Sequence, residues 1–197
     1  MRTVSGASTA EIEKIKGSRF IADIAPAGDE SAATAFIEAV RSREPSATHH
    51  CFAYRLGSAL ERSSDDGEPR DTAGPPILRR IVGAELSDVV VVVTRYYGGT
   101  NLGRGGLIRA YGAAAAAAID AAEIIVRPMT EVVSFGHSYE MSGPVDSVVA
   151  EFGADVVSAD YGESVKLGVA VPAERVEEFI DAMTEATAGT VEVERGG

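Results

Sequence analysis

The stretch Ser87–Ile119, SDVVVVVTRYYGGTNLGRGGLIRAYGAAAAAAI, passes from an apolar run through a glycine-dense loop into a helical pattern. Val89 to Val93 are five consecutive β-branched residues, too few for a helix and without polar alternation, which predicts a central strand covered on both faces. Gly98, Gly99, Gly103, Gly105 and Gly106 then fall within nine residues, where the backbone can take positive φ or approach a neighbour closely. From about Gly105 to Ala122, Leu107, Ile108, Tyr111 and the alanine run Ala113 to Ala118 predict a thin-faced helix that lies close on a sheet. Strand, glycine loop and helix start together present backbone N–H groups to an anion.

The loop matches no standard nucleotide fingerprint. Arg104-Gly105 stands where a P-loop needs Lys-Ser/Thr, and Ile108 stands where the dinucleotide pattern needs its third glycine. Two readings follow: the glycines serve turning and packing, or they line an anion or partner site. Arg95, Arg104 and Arg109 flank the loop and repel one another unless something negative sits among them, which favours a site.

Outward from that stretch, Glu11 to Ala25 reads as strand, turn at Gly17 and strand, and Asp29 to Arg43 as a helix capped by Asp29 and stopped before Pro45. Ala47 to Leu56 reads as a strand with His49, Cys51 and Ala53 on one face and His50, Phe52 and Tyr54 on the other. A metal site is disfavoured, because His49 and His50 face opposite ways and no further Cys or His completes a tetrahedral set. A Cys51–His49 nucleophilic pair is disfavoured by a spacing of roughly 7 Å. Gly57 to Pro76 reads as a polar loop of twenty residues whose acids, Asp65, Asp66, Glu68 and Asp71, match the arginines of the glycine loop in sign. That match predicts one cleft lined by both loops, holding His49, Asp65, Asp66, Glu68, Arg95, Tyr97, Gly98, Gly99, Gly103, Arg104, Gly105, Gly106 and Arg109. Gly105→Val is expected to damage the helix start, and Arg109→Ala to spare stability.

Residues 131–139, 142–152, 154–160, 164–171, 173–188 and 190–194 read as β-α-β-β-α-β, a ferredoxin-like pattern. The expected domains are residues 1–128 and 129–197, since the charge changes there. The first part carries 15 basic and 16 acidic residues, a net of −1, whereas the second carries 3 and 14, a net of −11. Phosphate backbones repel so acidic a unit, so nucleic-acid contact is expected from the first part alone. One cysteine excludes an internal disulfide, and no run of about 18 strongly apolar residues or signal-peptide core occurs, which predicts a cytoplasmic chain without membrane contact.

Taken together, Ser18-Arg19-Phe20, His49-His50-Cys51, Asp65-Asp66-Gly67-Glu68-Pro69, Thr72-Ala73-Gly74, Arg95-Tyr96-Tyr97-Gly98-Gly99, Leu102-Gly103, Gly105-Gly106-Leu107 and Arg109-Ala110-Tyr111 make the chain resemble the YigZ/IMPACT family over nearly its full length. The resemblance implies an α+β protein: an N-terminal βαβ-type domain like domain IV of elongation factor G, then a C-terminal ferredoxin-like domain. It also implies translation-associated binding of a ribosome, RNA or protein partner, without catalytic residues, metal or cofactor. The rival from the residues themselves is a phosphate-handling hydrolase or transferase with Arg95 and Arg109 as charge stabilisers and Asp66 or Glu68 as base or magnesium ligand.

Overall fold

The computed structural model describes residues 1–57 and 60–195, which form two compact units, Met1–Arg127 and Pro128–Gly197, with the last two glycines outside the described residues. The first unit runs β1 (Arg2–Val4), β2 (Ser8–Glu11), β3 (Arg19–Pro26), α1 (Glu30–Arg43), β4 (His49–Leu56), β5 (Leu60–Ser64), α2 (Gly74–Gly83), β6 (Val89–Tyr96), α3 (Gly103–Ala121) and β7 (Ile124–Val126). Five strands form one antiparallel sheet in the order β2-β3-β6-β4-β5, and β1 pairs separately with β7.

β6 holds the middle because its valines are apolar on both faces. Val89, Val91 and Val93 join Phe20, Ala22, Ile24, Cys51 and Ala53 against α2 and α3, while Val90 and Val92 join Ala25, Tyr54 and Leu56 against α1. Burial of each valine stabilises the fold by about 1.5–2 kcal/mol. β3 and β4 both run antiparallel to β6, so β3-α1-β4 is a βαβ turn with β6 inserted between its strands. The Asp29 carboxylate accepts the Ala32 N–H at 2.7 Å and caps α1.

Two expectations require correction. The twenty-residue loop contains β5, paired with Phe52–Leu56 of β4, so the free loop shrinks to the residues between Ser64 and Gly74; Ser58 and Ala59 lie outside the described residues. β5 is an exposed edge strand without apolar alternation, and so carries no sequence signal. The turn falls at Lys16-Gly17 as expected, both at positive φ, but the opening strand lies earlier, at Ser8–Glu11, and ends where the expected one begins.

The second unit runs β8 (Thr130–His137), α4 (Ser142–Glu151), β9 (Asp155–Tyr161), β10 (Val165–Pro172), α5 (Val176–Ala186) and β11 (Val193–Arg195). Its antiparallel sheet has the order β11-β8-β10-β9, the ferredoxin-like arrangement. Val133, Phe135, Val165, Leu167, Val169 and Val171 face Val145, Val148, Phe179 and Met183 of the helices, and Phe152 meets Phe179 edge-on at 5.4 Å.

Candidate functional site

Strand alternation places Arg95 on the same face as Val89, Val91 and Val93, beyond the last valine and next to Phe20 of β3 and His49 of β4. A guanidinium on that apolar face needs a counter-charge, since an unpaired buried charge is costly. Glu68 supplies it. Arg95 Nη1 donates to Glu68 Oε1 at 2.5 Å, and both side chains are about one-twentieth exposed. The Tyr111 hydroxyl of α3 donates to the same oxygen at 2.8 Å. Arg95 Nη2 donates to Ser18 Oγ at 3.3 Å, and its guanidinium lies 5.5 Å from the Phe20 ring and 5.4 Å from the Tyr97 ring.

Glu68 is aimed by a loop that its two preceding acids build. The Asp65 carboxylate accepts the backbone N–H groups of Asp71, Ala73 and Gly74 at 2.8, 2.8 and 2.9 Å, tying the loop to the start of α2. Asp66, at φ 42°, accepts the His50 N–H at 2.7 Å and pairs with Arg41 at 3.2 Å. His49 Nδ1 lies 2.7 Å from the Asp66 carbonyl; a carbonyl only accepts, so Nδ1 carries the proton and Nε2 faces Glu68 Oε1 at 3.9 Å. Gly74 sits against the Ser64 backbone, where a Cβ would meet atoms at 2.7–2.8 Å.

Between this loop and the glycine loop lies a cleft of about 530 Å³. Of the residues expected there, His49, Glu68, Arg95, Tyr97, Gly103 and Arg104 line it, joined by Thr48, Pro69, Asn101, Leu102 and Leu107. The others serve elsewhere. Asp65 is consumed by the loop's own backbone, and Asp66 by the His50 N–H and Arg41, so both are scaffold. Gly98 packs on Gly17, where a Cβ would fall 2.0 Å from Gly17 C, and Ser18 Oγ accepts its N–H at 3.1 Å. Gly99 takes φ +84° in open space. Gly106 is tight against Leu102, whereas a Cβ on Gly105 would meet only Arg109 Nη1 at 3.5 Å, so Gly105 is not required at the helix start. Arg109 is exposed and has no hydrogen-bond or ion-pair partner among the described residues.

The arginine argument from sequence also takes a different form: the negative group beside Arg95 is internal, and Arg104 Nη2 reaches the Arg70 carbonyl at 2.9 Å across the two loops. The roles of Ser18 and Tyr111 were missed, although both stand in the quoted motifs; nothing in their spacing tells that they converge on Arg95 and Glu68. Burial raises the Tyr111 hydroxyl well above the usual tyrosine range, aided by nearby Cys51 and Glu68. Burial likewise pushes the Cys51 thiol far up, and its Sγ donates to the Asp65 carbonyl at 3.0 Å. Among the described residues no cluster of three or more His, Cys, Asp or Glu side chains is arranged for a metal.

Residues 16–119 match the family model for the Impact N-terminal domain, and residues 138–190 match a domain of unknown function, DUF1949. The chain belongs to the IMPACT family. The IMPACT family member YigZ of Escherichia coli K12 is 34% identical over 96% of this chain and 95% of its own length. IMPACT family member YvyE of Bacillus subtilis 168 is 33% identical over 98% and 90%. A Thermus thermophilus IMPACT family member reaches 56% identity over 53% of this chain and 56% of its own. A solved crystal structure of an hypothetical protein superposes with a TM-score of 0.81 at 33% identity, covering 100% of this chain and 97% of that one. The Impact_N match spans the whole cleft, from Ser18 through Glu68 and Arg95 to Tyr111.

Proposed function

We propose that this IMPACT family member is a non-enzymatic, translation-associated binding protein of the cytoplasm whose first unit engages the ribosome through the cleft. The observation that carries this reading is the division of charge within the cleft. The charge on its floor is already matched, Arg95 by Glu68, whose Oε1 also accepts from Tyr111, whereas its rim offers Tyr97, 46% exposed, and the exposed Arg104, which also donates to the Arg70 carbonyl, beside the uncapped start of α3. Exposed aromatic and guanidinium groups on a rigid floor suit stacking and phosphate contact. The first unit is nearly neutral and the second strongly acidic, so contact with RNA falls to the first and a protein partner remains open to either.

A hydrolase or transferase reading lacks support, since Asp66 is spent on His50 and Arg41, and Glu68 is held by Arg95. Co-sedimentation with ribosomes at low and moderate salt tests the proposal. Wild type is expected to sediment with them at low salt, and Tyr97→Ala and Arg104→Ala to do so less. Absence of folded wild-type protein from the ribosomal pellet at both salts would remove the proposal.

A further inference from the structure

β9 is a seven-residue edge strand in which every residue is exposed. Its register explains why that is unusual. Tyr161, Ala159 and Val156 stand opposite Val165, Leu167 and Val169 of β10, and directly paired residues share a sheet face. Those three β10 side chains are buried under α4 and α5, yet their β9 neighbours Val156 and Tyr161 remain 53% and 72% exposed. The helical layer therefore stops one strand short, leaving an apolar ledge. The outer backbone groups of β9 also find no partner among the described residues.

The other face of the strand is acidic. Asp155, Ser158 and Asp160 stand opposite Ala170, Gly168 and Lys166, and Glu194 lies on the same face across β8. Acids on an edge oppose pairing with an identical strand, and two copies of this chain bring together net charges of −12 each. The same acids attract a cationic segment.

We propose that β9 is a docking edge for an extended, basic peptide segment of another protein, which adds as a fifth strand to the second unit. Its backbone pairs with the open edge, its apolar side chains cover Val156 and Tyr161, and its alternate lysines or arginines lie beside Asp155 and Asp160. The site is separate from the cleft of the first unit and stands or falls independently of ribosome binding.

The test uses the full chain and a fluorescent peptide of about ten alternating lysines and valines. Anisotropy titration is expected to show saturable binding at low salt that weakens about tenfold or more between roughly 0.05 and 0.5 M salt. Residue-resolved amide exchange is expected to show new protection confined to β9. Asp155→Lys/Asp160→Lys, whose fold is checked by circular dichroism, is expected to weaken binding by about tenfold or more. Unchanged affinity in that variant, protection outside β9, no binding at millimolar peptide, or a β9-mediated dimer in sedimentation equilibrium would each overturn the proposal.

Discussion

Replacing Glu68 by glutamine removes one charge from the pair beneath the cleft while preserving side-chain volume and an acceptor for Tyr111. The Arg95 and Glu68 side chains are 5% and 4% exposed, so water cannot solvate the guanidinium left behind. Deleting one partner of a buried pair costs about 3–5 kcal/mol. The amide oxygen still accepts from Arg95, which places Glu68→Gln near the lower end, about 3 kcal/mol. For a unit of this size each kcal/mol lowers the Tm by about 4 °C, giving a drop of roughly 10 °C or more. The single cysteine supplies an assay specific to the first unit. Cys51 is fully buried there, so thiol labelling during thermal or denaturant unfolding reports that unit's opening alone. Arg95→Met strands the carboxylate instead, and the double variant Glu68→Gln/Arg95→Met strands neither charge. The double is expected to be more stable than the sum of the singles by about 2 kcal/mol. A loss below about 1 kcal/mol for Glu68→Gln, with additive singles, would refute the pairing as the anchor of the cleft.

Gly98→Ala forces a Cβ to within 2.0 Å of the Gly17 carbonyl carbon and 2.2 Å of the Ser18 nitrogen, so a loss of about 3 kcal/mol or more is expected in urea denaturation. Gly105→Ala, with helical backbone and only an ordinary contact to the end of the Arg109 side chain, is expected to be neutral or stabilising by up to about 1 kcal/mol in the same assay. Native Cys51 is expected to resist disulfide reagents at mildly alkaline pH until the first unit opens, because burial holds the thiol protonated; prompt stoichiometric labelling of folded protein would contradict this. Burial keeps Tyr111 neutral in the folded chain, whereas in the unfolded chain it ionises near pH 10. Its contribution to stability is therefore complete below about pH 10 and lost as pH rises further, a trend that denaturation midpoints between neutral and strongly alkaline pH would reveal.

The parts of the fold readable from sequence are those where one residue pattern leaves one solution. Five β-branched residues in a row admit only a strand with two covered faces, and the stripe Val176, Phe179, Met183 only an amphipathic helix. β5 and β1 escaped because edge strands are held by backbone pairing, which leaves no mark on side-chain polarity. The candidate site was legible as a meeting of two loops and in the unease of three neighbouring arginines. Which acid answers which arginine was not, because Asp65, Asp66 and Glu68 are alike in charge and differ only in direction. Around the turn at Asp66-Gly67 the Asp65 carboxylate goes to the loop's own backbone, that of Asp66 to the His50 N–H and Arg41, and that of Glu68 to Arg95.

Pairing of Arg2–Val4 with Ile124–Val126 gives the first unit a late closing step. During synthesis the strand that zips against the chain's earliest residues leaves the exit tunnel after every other part of that unit. The five-stranded sheet can assemble beforehand, but its outer clasp waits for residue 126, and a nascent chain stalled before that point would carry Arg2–Val4 without the strand it pairs with.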